Sequence, residues 1–272
     1  MESYLPWLAL RQVVGVGPVL YKRLIEAFHT PDLVFRADAE ALLEVEGVSE
    51  SIAEKIATFT NMDAAKREID QMEKHGVRLV VLSDPDYPSL LRSIYDPPPL
   101  LYLKGAEMGS DTARVAVVGA RRMTTYGQSV AERIGGGLAR VGIVVVSGFA
   151  RGIDAVAHRA ALSEGGGTIA VMGSGLDCLY PKEHRKLYDA IVEQGSLVSE
   201  FAMGTEPEPH HFPQRNRVIS GLSLGTVVIE ASRKSGSLIT ACHALEQGRE
   251  VFAVPGSIFS ETSSGTPRLI RS

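Results

Sequence analysis

The side chains best able to do chemistry follow short apolar runs. Arg121 and Arg122 come after Val115 to Val118 and Gly119, and Arg151 follows Ser147-Gly148. Lys182 closes the run Tyr180-Pro181-Lys182, while Arg215, Asn216 and Arg217 sit in HHFPQRNR, beside Phe212. Lys234 leads into Ser235-Gly236-Ser237. The chain carries a formal net charge of −4, so bulk charge does not advertise an anionic partner. Cations placed beside Gly and Ser at strand ends do, because backbone amides and helix N-termini there already favour anions. The ligand such an edge fits is phosphate, with Gly119 and Gly148 expected to let it approach.

Other chemistries are weaker. Asp154 and His158 are four apart and share a helix face. They read either as an acid–base pair or as an Asp at a helix start with His158 packed nearby, and the second is the simpler reading. Ser147, Ser174 and Ser237 lack a G-x-S-x-G setting. His210-His211 lacks further ligands at metal spacing, so no metal site is expected. Glu200 and Glu230 stand where they can balance or orient arginines. GARRMTTYG is not G-x-G-x-x-G, and no P-loop is present, so no nucleotide cofactor is expected.

These residues need a scaffold that gathers strand ends. Near-continuous apolar runs predict strands at 114–118, 142–147, 167–172, 196–200, 225–230 and 249–254. Helical patterns at 126–140, 153–163, 182–194, 213–223 and 236–247 separate them. Apolar runs of this kind imply burial on both faces, hence a parallel sheet covered by helices. The expected fold is α/β, an extended Rossmann-like, doubly wound, mostly parallel sheet at 77–260. Ahead of it, Arg78 to Leu82 and Leu100 to Leu103 read as strands around a short helix at Ser89 to Ile94. Residues 261–272 read as a linker towards a further domain.

Residues 1–62 read as a small all-helical domain, and 63–76 as a linking helix. VVGVGPVLYKRLIEAF and VEGVSESIAEKIATF repeat an apolar-Gly turn before an amphipathic helix. Pro18 suits a first helical turn and Ser49 an N-cap. The turns resemble helix-hairpin-helix modules, in which turn amides contact DNA phosphates, and a helical domain used only for packing or protein contact is the alternative. With 44% hydrophobic and 22% charged residues and no run of roughly 20 apolar residues, the composition is that of a soluble protein. No signal peptide is seen, so the expected location is cytoplasmic, with no membrane partner. Cys178 and Cys242 are expected as reduced thiols in or near the core.

GARRMTTYG, SGFARGIDAVAHRAAL, TIAVMGSGLDCLYPKEH, SLVSEFAMG, FPQRNRVISGLS and GTVVIEASRKSGSLITA occur in order. SDPDYPSLLRSIYDPPPLLYLKG precedes them and VPGSIFS follows. Together they resemble the DNA-processing protein A (DprA/Smf) family of bacteria. The resemblance implies a single-stranded DNA-binding recombination mediator, not an enzyme, that protects incoming strands in natural transformation and competence and loads RecA recombinase. It implies a homodimer built through the Rossmann-like domain. It places the DNA pocket on Arg121, Lys182, Phe212, Arg215, Asn216 and Arg217, bordered by Gly148 to Arg151 and Lys234 to Ser237. The alternative is a nucleoside-phosphate hydrolase of the lysine-decarboxylase-like type. That group needs a PGGxGT loop, where this chain has SRKSGSLIT.

Overall fold

The structure is a computed structural model that describes residues 2–109 and 112–256, together with Gly265 and Leu269. After a short 3-10 turn, five helices form the N-terminal part: α1 (Leu5–Gln12), α2 (Pro18–Phe28), α3 (Pro31–Arg36), α4 (Ala39–Leu43) and α5 (Glu50–Ala57). The repeated turns take the expected form. Gly15 has φ +104° and Gly47 φ +95°, the left-handed region open to glycine. Pro18 opens α2, and the Ser49 hydroxyl accepts from Ile52 N at 3.4 Å. A Cβ on Gly15 would stand 3.1 Å from Ile52 Cγ1, so the first turn packs directly on α5 of the second repeat.

Helix α6 (Asp63–His75) leads to β1 (Arg78–Val81), α7 (Ser89–Arg92) and β2 (Leu100–Gly105). The rest alternates: β3 (Arg114–Gly119), α8 (Thr125–Arg140), β4 (Val144–Ser147), α9 (Ile153–Ser163) and β5 (Thr168–Val171). Then come α10 (Arg185–Gln194), β6 (Ser196–Ser199), α11 (His211–Gly221), β7 (Gly225–Ile229), α12 (Gly236–Glu246) and β8 (Glu250–Ala253). One sheet has the order β1-β2-β6-β5-β4-β3-β7-β8. Strands β3 to β8 are mutually parallel, and β1 and β2 add an antiparallel edge. Val145, Val146, Ala170, Val171, Leu197 and Val198 have no exposed surface, which is why these strands read as unbroken apolar runs.

Two helices differ from expectation. The one predicted at 182–194 divides into a 3-10 turn, Lys182–His184, and α10. Helix α11 begins at His211 rather than 213, because Pro213 falls in the first turn, where a missing N–H costs no helical bond.

The helical part is fastened to the sheet. One apolar cluster runs from Trp7, Leu24 and Ile56 through Met72 to Tyr102 and Phe149. Arg11 pairs with Glu68 at 2.6 Å, and both meet the Tyr102 hydroxyl inside this seam. Cys242 is exposed and not in the core, and Cys178 is half-buried. Among the described residues, no helix is long and apolar enough to cross a membrane. The segment expected as a linker, 261–272, lies outside the described residues except for Gly265 and Leu269.

Candidate nucleic-acid interface

From β3 the chain moves outward in one direction through β4 and β5 to β6, then returns to lay β7 and β8 on the other flank of β3. The connections after β3 and β7 therefore diverge and leave a crevice, the usual ligand position in open parallel sheets. A cavity of about 650 Å³ fills it. Its lining includes Gly119, Arg121, Arg122, Phe212, Arg215, Asn216, Lys234, Ser235, Gly236 and Ser237. A smaller cavity alongside takes Gly148, Arg151 and Pro181. Arg121, Ala150, Tyr180 and Phe212 line both and form their shared wall.

Arg121, Arg122 and Lys234 are exposed and make no ion pair among the described residues. The same holds for Lys182, which lies just beyond Pro181 and lines neither cavity. Arg151 is exposed but bonded to Glu183, which offsets its charge. The Arg121 guanidinium carbon stands 5.4 Å from the centroid of Phe212, and the Tyr180 ring lies 5.7 Å from it on the shared wall. Tyr180 was not among the expected site residues. Its sequence signal was an aromatic next to a cation in a strand-end loop, and it is 40% exposed.

The motif QRNR does two different jobs. On a helix, residues 212, 215, 216 and 219 share one face, while 214 and 217 lie off it. Phe212, Arg215, Asn216 and Ile219 accordingly line the cavity. Arg215 is buried and donates to the carbonyls of Gly148, at 2.7 Å, and Val171. Burial draws its guanidinium down to about 10, and Asp154 opposes that shift. Asp154 accepts from Gly148 N at 3.1 Å and Ala150 N at 3.4 Å; burial raises its carboxyl and Arg215 pulls it back. The two side chains hold the 148–150 loop from both sides. Asn216 Nδ2 donates to Gly236 O at 3.1 Å and fixes the start of α12, where the Ser235 and Ser237 hydroxyls are 2.7 Å apart.

Arg217 corrects the expected assignment. The resemblance places it in the DNA pocket, but its side chain is 5% exposed and does not line the cavity. Its guanidinium pairs with Glu200 at 2.6 Å and Asp96 at 2.8 Å. Gly119 lines the larger cavity and Gly148 the smaller one, and each is also closely packed. A Cβ on Gly119 would stand 1.9 Å from Ile229 O, and one on Gly148 2.8 Å from Asp154 Oδ2. Both positions are small because of protein packing, before any ligand is considered.

Asp154 and His158 do not form an acid–base pair. His158 is fully buried with Nδ1 2.7 Å from Thr168 Oγ1, and burial draws it down to about 3, so it is neutral. Among the described residues Glu230 pairs with no arginine; its carboxylate accepts from the backbone N and the hydroxyl of Thr124, at the N-cap of α8.

The crevice on this Rossmann-like sheet is walled by exposed cations and two aromatic rings, the kinds of group that phosphates and unpaired bases engage. Residues 78–272 match the model of the DNA recombination-mediator protein A family, and residues 8–59 match that of the SAM-like helix-hairpin-helix tandem. The chain belongs to the DNA recombination-mediator protein A family. It is 41% identical over 268 residues to Protein Smf of Synechocystis, covering 97% of this chain and 67% of that protein. It is 42% identical over 220 residues to DNA processing protein DprA of Bacillus subtilis, covering 76% and 74%. The X-ray structure of DNA processing protein A from Streptococcus pneumoniae superimposes with TM-score 0.86 at 34% identity, over 98% of this chain and 92% of that one. A structure of the Helicobacter pylori protein that addresses its single-stranded DNA binding mode gives TM-score 0.64 at 31% identity, over 71% and 87%.

Proposed function

We propose that this chain binds single-stranded DNA in the switch-point crevice and acts as a recombination mediator that delivers the strand to RecA recombinase. The observation that carries the reading is the shared wall: Tyr180 and Phe212 side by side, with Arg121 over Phe212, between two cavities. Single-strand binding needs cations that track phosphates and aromatic faces on which unpaired bases stack. Arg121, Arg122, Lys182 and Lys234 supply the first; Tyr180 and Phe212 supply the second. Arg215 and Asn216 act behind them as positioning residues for the 148–150 loop and the start of α12. The crevice is assigned to binding and not to bond cleavage, and the protein to the cytoplasm.

The membership of the family and the Helicobacter pylori relative support this reading. Fluorescence anisotropy with labelled oligo-dT at several salt concentrations tests it, and binding no tighter than to duplex overturns it. Delivery to RecA is tested by strand exchange on DNA coated with single-strand-binding protein, with and without this chain. We further assign self-association to the β8 edge. Strand β8 pairs with β7 alone among the described strands, and Leu224, Ile239, Leu245 and Phe252 nearby are 52%, 38%, 54% and 54% exposed. Light scattering of Leu245→Glu and Phe252→Glu variants checks it, with monomers expected.

A further inference from the structure

The segment that enters α11 carries three donors the crevice does not use. Glu208, His210 and His211 each bring one ligand atom to within 4.8 Å of the others. His210 Nδ1 is 3.3 Å from Glu208 Oε2. His211 Nδ1 faces the Glu208 backbone N at 3.4 Å, a long contact that a stronger partner displaces easily. The His211 ring is held by burial, at 9% exposed, and by Phe201 4.3 Å away, centroid to centroid. His210 and Glu208 are 68% and 59% exposed and free to change rotamer. One donor is thus held in place while two can close on an ion.

Two imidazoles and one carboxylate form a donor set that zinc accepts at bond lengths of about 2.0–2.2 Å, leaving a fourth position open. Nitrogen-rich sets of this kind favour borderline transition ions over magnesium or calcium. Tetrahedral bonding at those lengths puts donor atoms about 3.3–3.5 Å apart. The present spacing needs a contraction that rotation of the two exposed side chains supplies. Sequence spacing offers His210-His211 no third ligand; the turn at Pro209, closed by His211 N donating to Glu208 O at 3.0 Å, brings the Glu208 carboxylate back to the histidines.

We propose that Glu208, His210 and His211 form a site for a transition-metal dication of the zinc type at the rim of the larger cavity, whose lining includes Pro209. The site rests on its own donor set and stands or falls apart from strand binding. Isothermal titration of the full chain with zinc chloride, without DNA, tests it. One ion per chain is expected, with affinity lowered roughly tenfold or more by His210→Ala, which changes an exposed side chain and leaves the fold intact. Glu208→Gln is expected to act in the same direction. Cys178→Ser and Cys242→Ser are controls, because thiols also take zinc, and both are expected to leave binding unchanged. Cobalt(II) absorption in the visible reports the same site independently. No stoichiometric binding, binding that survives His210→Ala, or binding lost in either cysteine variant overturns the proposal.

Discussion

The guanidinium carbon of Arg121 lies 5.4 Å above the ring centroid of Phe212, which joins an exposed positive charge to an aromatic face on the shared wall. Loss of the ring in Phe212→Ala is expected to weaken oligo-dT binding by about 1–3 kcal/mol, roughly 5- to 150-fold. Anisotropy titrations of Arg121→Ala, Phe212→Ala and the double variant measure the coupling. Purely additive losses would show that the two side chains act independently.

Tyr180 shares the wall, so Tyr180→Ala is expected to lose affinity on the same scale. Tyr180→Phe is expected to retain it, because stacking uses the ring and not the hydroxyl. Equal losses in the two variants, read from the same titrations, would count against stacking.

The exposed cations Arg121, Arg122, Lys182 and Lys234 predict a salt signature. Each phosphate neutralised on a single strand contributes about −0.7 to the slope of log affinity against log salt. Lys234→Ala and Lys182→Ala are each expected to flatten that slope by about 0.7, measured between 50 and 300 mM salt, on the order of the usual working range. An unchanged slope for Lys234→Ala removes it from the strand's path.

Arg217 is expected to matter for the fold and not for the strand. Arg217→Ala leaves Glu200 buried without its partner, a change that costs about 3–5 kcal/mol. Urea unfolding followed by circular dichroism reads this loss, and Arg121→Ala, at an exposed site, is expected to stay within about 0.5 kcal/mol of the parent. A stable Arg217→Ala protein with weakened DNA affinity returns this residue to the DNA pocket.

Acid is expected to destabilise the fold through His158. Burial draws its imidazole down to about 3, whereas an unfolded chain titrates near 6.5. The unfolded state therefore takes up the proton first, and stability falls as pH drops from about 6.5 towards 3, by about 1.4 kcal/mol per unit. His184, also lowered by burial, acts in the same sense. Relative to His158→Leu, the parent is expected to lose about 2 kcal/mol more between pH 6.5 and 5. Parallel urea curves across that range contradict this.

The parallel sheet was legible because strands buried on both faces leave apolar runs with no alternation, as in Val115 to Val118 and Thr226 to Ile229. Arg121, Arg122 and Lys234 were legible for a related reason: they follow strand ends, and parallel strands share one loop edge. Arg217 was not, because its partners Asp96 and Glu200 are set by topology, 121 and 17 residues away. Its heptapeptide neighbourhood resembles that of Arg215, and only the helical rotation of α11 separates the two roles. At Gly119 and Gly148 the sequence does not say which neighbour comes close. A glycine reveals that something comes close, and here Ile229 O and Asp154 do.

The wall between the two cavities carries a mechanical consequence. The two cavities share Arg121, Ala150, Tyr180 and Phe212 as one wall. A strand that occupies both, as proposed, crosses that wall, which a flexible single strand does at less cost than duplex DNA, stiff over about 150 base pairs. On that proposal stiffness, and not base identity, governs selection, and unlabelled duplex is expected to displace bound oligo-dT poorly in a competition titration.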